Sequence, residues 1–245
     1  MRAGGPTIRG LLDRDERSRR AWTLAALAVG SILLWQTHWG SLLLYPFTIL
    51  ATWFHEMAHG LAAILAGGRF EQLAIYRDGS GVALALMPGD ASLFSSAFVS
   101  AAGPLGPPVI GALLIVASRS RRATLVALGL LAGALVLSTL VWVRSTVGWL
   151  VLPGFALGLA GVVWRGSPKV REFVVQLLGV QAAISSWHDL GYLFSDGGMV
   201  AGQPQRSDTA AIADSLLLPY WFWGGTISLA IVALIAASLR FALRR

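Results

Sequence analysis

The sequence contains no cysteine, which excludes disulfides, thiolate catalysis and cysteine-based metal sites. Charged residues are also scarce: they make up 13% of the 245 residues, against roughly 25% in an average soluble domain, whereas hydrophobic residues make up 56%. Apolar runs of bilayer-spanning length, about 20 residues, recur along nearly the whole chain and leave no stretch for a large soluble domain. These features predict an integral membrane protein.

The positive charge lies at the ends of the apolar segments. The formal net charge is +7, and short groups of arginines at segment ends supply most of it. This placement suits the phosphate headgroups of lipids better than nucleic acid, and no basic stretch is interleaved with aromatic residues. We therefore expect the lipid bilayer, and no nucleic acid, as a partner.

Hydropathy divides the chain into a basic polar tail, residues 1–20, and a single transmembrane domain, residues 21–245. Because more apolar segments follow the first one at once, we interpret that segment as an uncleaved helix rather than a signal peptide. The pattern predicts an all-α polytopic membrane protein with about six to seven transmembrane helices. The candidate segments lie near residues 21–37, 41–66, 92–117, 123–143, 146–164, 170–194 and 212–239.

The orientation in the membrane stays open. If all seven segments span, Lys and Arg divide 10 against 9 between the two sides, so the positive-inside rule decides nothing. Placing the strongest basic clusters on one side requires an even number of crossings before residue 118. Either one early segment is re-entrant, or six or seven segments span with mixed flanking charge.

One stretch, residues 69–90, predicts a membrane-associated β-hairpin. Larger apolar residues alternate with smaller ones on both sides of an Asp-Gly-Ser-Gly turn at residues 78–81. The open edge of such a hairpin either is covered or pairs with another extended strand. A connecting hairpin that packs only on its own helices is the alternative.

Two carboxylates lie within apolar segments, where burying a charge costs free energy. Of the 12 acidic residues, only Glu56 and Asp189 fall well inside apolar segments. A carboxylate in hydrocarbon costs at least about 2.5 kcal/mol, so each one suggests a functional site. Three of the four histidines adjoin these two acids, namely His55, His59 and His188.

The stretch "HEMAH" predicts a zinc site. His55 and His59 are four residues apart, so both imidazoles project from one face of a helix and can bind one cation. In the H-E-x-x-H pattern the two histidines hold zinc, and the glutamate, here Glu56, acts as general base on a zinc-bound water. A hydrogen-bonded polar cluster without metal is the alternative.

A catalytic zinc takes three protein ligands, so a third must come from elsewhere in the chain. Asp189 is the best candidate, although it could instead bond a neighbouring helix. His188 projects about 100° away from Asp189 around the helix, which favours a supporting position beside the ligands. Asp208, in a polar loop, is expected to cap the last helix.

These residues resemble the site-2 protease family of intramembrane zinc metallopeptidases. "FHEMAHGLAAILAGGRF" is similar to its motif helix with the following Gly-Gly and β segment, "AAGPLGPP" to its A-G-P-L stretch, and "LLGVQAAISSWHDLGYLF" to its later helix with an Asp ligand. The order of these elements matches over about residues 50–195, and the metallopeptidase-like core is expected over about residues 41–195. The chain departs in having serines, Trp187 and His188 before Asp189 where the family has prolines, and in having no loop long enough for a PDZ domain.

The resemblance implies a bacterial, multi-pass cell-membrane protein with one zinc per chain. It implies His55, His59 and Asp189 as ligands, Glu56 as base, and cleavage of membrane-embedded helical substrates such as transmembrane proteins or signal-peptide remnants. The hairpin edge would hold the unwound substrate as an added strand, with Gly81, Val82, Ala83 and Leu84 as candidate binding residues. A homo-oligomer is left open.

Two other functions use the same residues. A metal-ion transporter would use His55, His59 and Asp189 as a translocation site, but polar residues are confined to one cluster and no internal repeat is seen. A non-catalytic relative would bind membrane helices with the same fold and lack a complete, open zinc site.

Overall fold

The protein is described by a computed structural model that covers residues 8–188, 190–200 and 202–244. It confirms a predominantly helical membrane fold with a membrane-associated hairpin. The helices are α1 (Ile8–Trp35), α2 (His38–Leu65), α3 (Leu93–Ala117), α4 (Arg121–Val141), α5 (Thr146–Arg165), α6 (Pro168–His188), α7 (Leu190–Leu193), α8 (Asp208–Leu216) and α9 (Tyr220–Leu243). The strands are β1 (Arg69–Ile75), β2 (Gly81–Leu86), β3 (Gly197–Val200) and β4 (Gln203–Arg206).

Four helices, α3, α4, α5 and α9, are each long and apolar enough to cross a membrane. The pair α1–α2 passes the same test only as a unit, and it is bent by 116° at residues 36–37. Thr37 caps α2 by accepting a hydrogen bond from the Gly40 N–H, and a Cβ at Gly40 would lie 2.0 Å from the Leu34 carbonyl oxygen. This bend is either a broken span or a re-entrant loop. Residues 8–20 of the expected polar tail form the first turns of α1.

The helical bundle has two distinct ends, and α3 and α6 define its axis. They run antiparallel, because Gly111 lies against Ala183 and Gly179 against Ile115. At these glycines the backbones approach so closely that a Cβ on Gly111 would be 2.7 Å from the Ala183 nitrogen. We call the end where α3, α5 and α9 finish and α6 begins the arginine end. The opposite end, which carries both hairpins, is the hairpin end.

The hairpin β1–β2 lies along α2 and has one covered edge. The Thr52 hydroxyl donates to the Gly79 carbonyl at 2.6 Å and so fixes the turn to α2. On the outer edge of β1, the Leu73 N–H donates to Trp142 and its carbonyl accepts from Arg144, both at 2.8 Å. The connection between α4 and α5 therefore covers β1, and only the outer edge of β2 is left to face another strand.

A second, smaller hairpin, β3–β4, leads into α8 and was not expected from the sequence. Ser207 caps α8 by accepting from the Ala210 N–H, and its own hydroxyl donates to the Ser195 carbonyl at 2.5 Å. Thr209 donates to the Leu193 carbonyl at 2.9 Å, and both hydroxyl residues are fully buried. The expectation that Asp208 caps this helix is wrong, because the N-cap residue of α8 is Ser207. The Asp208 carboxylate therefore does not serve as the cap.

Candidate metal centre

His55 and His59 project together from α2, with their Nε2 atoms 3.1 Å apart. The Nδ1 atom of His59 lies 2.7 Å from the Val99 carbonyl oxygen on α3. Since a carbonyl oxygen can only accept, Nδ1 carries a proton, and a metal would bind at Nε2 in place of any proton that this atom carries. The backbone of α3 thus sets the tautomer that a zinc ligand needs.

Asp208 completes a triangle with the two imidazoles. Its carboxylate oxygens lie 3.1 Å from the His55 Nε2 and 3.2 Å from the His59 Nε2. Among the described residues, these three form the group that could hold a metal ion. Tetrahedral zinc with bonds of about 2.0–2.2 Å separates its ligand atoms by about 3.3 Å, so the three distances match the donor spacing of a zinc site.

Burial and charge both act on Asp208. Burial raises the pKa of its carboxyl, but the charge of His59 and hydrogen bonds from both histidines outweigh this and hold the pKa below its ordinary value. Asp208 is therefore ionised at neutral pH, which is the state a metal ligand requires.

The backbone of α3 forms the floor of this triangle. A Cβ placed on Gly103 would lie 2.1 Å from the His59 Nε2 and 2.6 Å from the His55 Nε2. Only a residue without a side chain leaves this space open. Gly103 belongs to the "AAGPLGPP" stretch, so the geometry gives a physical reason for glycine at that position.

Glu56 lies beside the triangle without being part of it. Its side chain is buried, and it accepts a hydrogen bond from the Ala83 N–H of β2. The Ala83 N–H makes no hydrogen bond to β1. Ala83 is paired with Leu73, but the backbone groups of Leu73 bond the α4–α5 connection on the other side of β1. In an antiparallel ladder both members of such a pair point outward, so the Ala83 N–H and carbonyl lie on the outer edge of β2. The unpaired edge of β2 therefore lies beside Glu56.

A cavity of about 850 Å³ opens on the site. It is lined by α2, β2, the β3–β4 hairpin and α8, together with Gln181 and Ser185 of α6. Gln181 is only 5% exposed, and its side-chain nitrogen has no hydrogen-bond partner. An unpaired buried amide costs about 1–3 kcal/mol, so this nitrogen is suited to donate to a polar group that enters the cavity.

The residues singled out from the sequence have different outcomes. Of the strand Gly81, Val82, Ala83 and Leu84, the first and third line the cavity. His188 is the last residue of α6. Asp189 lies outside the described residues, so its assignment as third ligand stays a prediction. The sequence reasoning missed Asp208; the available signal was Ser207, which can take the cap and release the next carboxylate.

Comparison with known proteins agrees with this geometry. The chain matches the Peptidase M50B-like family over residues 24–238, which includes every described residue of the site. No curated protein and no solved structure gives a significant match. The apolar helices and the family together make this an integral membrane protein. As the sequence motifs predicted, the chain belongs to the Peptidase M50B-like family, which is the site-2 protease family of zinc metallopeptidases.

Proposed function

We propose that the protein is a zinc-dependent intramembrane endopeptidase that cleaves membrane-embedded helical substrates. The observation that carries this proposal is the position of Glu56, which lies between a triangle of metal-binding side chains and the open edge of a β-strand. A peptidase needs a base, a metal site and a way to hold an extended peptide, and these three elements meet in one cavity.

Three side chains, His55, His59 and Asp208, would hold the zinc. A bound zinc ion would supply a water molecule of lowered pKa and polarise a carbonyl. The Glu56 carboxylate, beside the three ligands, would accept a proton as base and give it to the leaving amine as acid. Gln181 donates a hydrogen bond to a substrate carbonyl from the opposite wall of the cavity.

The outer edge of β2 would hold the substrate. A transmembrane helix must unwind before its peptide bond can reach a metal, and its exposed backbone groups then need partners inside the membrane. The outward N–H and carbonyl groups of β2 supply such partners by strand addition. Because β1 is covered by the α4–α5 connection, the substrate strand has one edge to pair with.

The substrates that fit this site are transmembrane proteins or signal-peptide remnants in the bacterial cell membrane. The chain would cross that membrane several times, as its four to five apolar helices support. A homo-oligomer stays a prediction.

The test uses purified protein in detergent and a labelled transmembrane peptide. Glu56→Gln should keep about one zinc per chain and abolish cleavage, because it removes the base and leaves the ligands. Glu71→Gln, on the half-exposed surface of β1, is the matched control and should cleave normally. Cleavage by Glu56→Gln would refute the base assignment.

Metal content separates the alternatives. Stoichiometric zinc in the wild type without cleavage of any transmembrane peptide would favour a non-catalytic helix-binding protein. Zinc flux into proteoliposomes that is lost in His59→Ala would favour a transporter. Loss of zinc in Asp208→Ala but not in Asp189→Ala would assign the third ligand to Asp208, and the reverse result would assign it to Asp189.

A further inference from the structure

The hairpin β1–β2 and helix α2 advance side by side in nearly equal steps. A Cβ on Gly79 would lie 3.0 Å from the Thr48 Cγ2 atom. Two residues further on, a Cβ on Gly81 would lie 2.5 Å from the Thr52 Cγ2 atom and 2.8 Å from the Glu56 Cγ atom. Two residues of a strand span about 6.7 Å and four residues of a helix span about 6.0 Å, so these contacts recur at nearly the same interval. Each of these positions on the hairpin thus has its own counterpart on α2.

The turn between β1 and β2 is braced by its own hydrogen bonds. The Asp78 carboxylate accepts from the Ser80 N–H at 2.9 Å and from the Ser80 hydroxyl at 2.6 Å. The Tyr76 N–H donates to the Ser80 carbonyl at 2.8 Å, and the Gly79 N–H donates to the Tyr76 carbonyl at 3.1 Å. Because the turn is held together in this way, a contact that fixes one of its atoms also fixes the start of β2 at Gly81.

Two hydroxyl groups of α2 hold this turn. The Thr52 hydroxyl donates to the Gly79 carbonyl at 2.6 Å, and both residues line the cavity. The Tyr45 hydroxyl donates to the Arg77 carbonyl at 3.0 Å on the exposed side of the hairpin. Thr52 lies one helical turn before Glu56, whereas Tyr45 lies three turns before it. Of these two hydroxyls, that of Thr52 therefore joins the turn to α2 next to the base.

A substrate strand would take its position along the cavity from β2. The Ile75 N–H bonds Ser145 on the outer edge of β1, so its partner Gly81 directs its own N–H and carbonyl away from β1. Ala83 does the same. A peptide that pairs with these groups lies beside Glu56, and its side chains fix its own register on β2. The position of β2 relative to Glu56 therefore decides which substrate carbonyl reaches the metal centre.

We propose that Thr52 is a positioning residue that fixes the register of β2 against Glu56 and thereby selects the peptide bond that is cleaved. Its hydroxyl bonds the turn, and its methyl group packs against Gly81, where no side chain intervenes. This inference rests on the proposed function, because it concerns the cleavage of a strand that is added to β2. Thr52 acts through β2 and not by contact with the scissile bond.

The test compares Thr52→Val, which keeps the shape and loses the donor, with Thr52→Ser, which keeps the donor. Purified protein in detergent is given a labelled transmembrane peptide, and mass spectrometry identifies the cut bonds. Thr52→Val should keep its zinc and cut the main bond at least about tenfold more slowly, since a misplacement of about 1 Å costs up to about a hundredfold. It should also cut bonds two residues away, because groups on one edge of a strand recur every second residue. Thr52→Ser should give the wild-type product.

Two controls separate positioning from general loosening. Tyr45→Phe removes the other hydroxyl that holds the turn and should cut the wild-type bond. Thr226→Val makes the matched exchange in α9, where the hydroxyl bonds the Phe222 carbonyl of the same helix, and should behave like the wild type. If Thr52→Val does not keep its zinc, Thr52→Ala removes the same donor and replaces it.

Hydrogen exchange tests the anchor without any cleavage. The backbone amides of residues 79–83 should exchange at least about twofold faster in Thr52→Val than in Thr52→Ser, because one hydrogen bond that holds the turn is lost. Equal exchange in the two variants would show that the Thr52 hydroxyl does not hold the turn and would overturn the proposal.

The cleavage pattern decides the rest. A Thr52→Val protein that cuts the same single bond, at whatever rate, would overturn the proposal and leave the peptidase activity standing. An equal spread of cuts in Tyr45→Phe would assign the effect to loosening of the whole hairpin and would also overturn it. A wild type that cleaves no transmembrane peptide would refute the proposed function, and with it this inference.

Discussion

The sharpest test of the metal centre is the addition of a single methyl group at Gly103. In Gly103→Ala the new Cβ would start 2.1 Å from the His59 Nε2 and 2.6 Å from the His55 Nε2, whereas ordinary contact begins at 3.4 Å. The imidazole of His59 would have to move by about 1.3 Å. Zinc sites tolerate deviations of about 0.2 Å, so this displacement is several times larger than the site can absorb.

We expect Gly103→Ala to lose zinc. Changes that only disturb the orientation of a ligand cost about 10–100-fold in metal affinity, and this substitution acts on two ligands directly, so the loss should be at least that large. The assay is zinc per chain after purification and dialysis against a weak chelator. Cleavage of a transmembrane peptide should fall in parallel.

Two other glycines provide controls. Gly129→Ala lies in α4 with nothing within 4 Å and should keep its zinc, with a stability gain of up to about 1 kcal/mol from helix propensity. Gly106→Ala puts a Cβ 2.6 Å from the Ala58 Cβ, so it separates α2 from α3 without meeting an imidazole. Normal zinc content in Gly103→Ala would refute the site, and equal losses in Gly103→Ala and Gly106→Ala would assign the effect to helix separation.

Three further predictions address the other parts of the site. Ser207→Ala should lower the free energy of unfolding by about 1 kcal/mol through loss of the α8 cap, and it should also weaken zinc binding. Ser215→Ala on the same helix is the control and should keep its zinc. Thermal unfolding measures the stability and zinc per chain measures the binding. Ala83→Pro should abolish cleavage without unfolding the hairpin, because the Ala83 N–H faces outward, whereas Val82→Pro should disrupt the β1–β2 ladder. Circular dichroism and peptide cleavage distinguish the two variants. Unchanged cleavage by Ala83→Pro would contradict strand addition. Gln181→Leu should retain zinc but cleave at least about tenfold more slowly, because one substrate hydrogen bond of about 1.5 kcal/mol is lost. An unchanged rate would show that Gln181 does not contact the substrate during cleavage.

Local patterns predicted the parts of the fold that depend on neighbouring residues. The four-residue spacing of His55 and His59 requires only a helix, and the alternation around residues 78–81 requires only a turn with strands on both sides. Hydropathy located the long helices because burial in lipid acts on each segment separately. These features are properties of short stretches, so a sequence is sufficient to recognise them.

The features that escaped prediction depend on contacts between distant segments. Asp208 follows a strand pair of sequence "GGMV" and "QPQR", which has no apolar alternation and gives no sign of a hairpin. Its approach to α2 results from the anchoring of Ser207 and Thr209 to residues 193–195. The 116° bend likewise accompanies a close contact of Gly40 with the Leu34 carbonyl.

The distance along the chain between the metal-binding residues has a consequence for biosynthesis. Asp208 follows His59 by 149 residues, and it comes after every element that lines the cavity except α8, which it begins. While the chain emerges from the ribosome, the histidines, Glu56 and the β2 edge enter the membrane long before the carboxylate that completes their triangle. A nascent chain that stops short of this residue carries the strand that would hold a substrate but only two of the three donors. Under the proposed function, cleavage would therefore begin only after residue 208 has been synthesised.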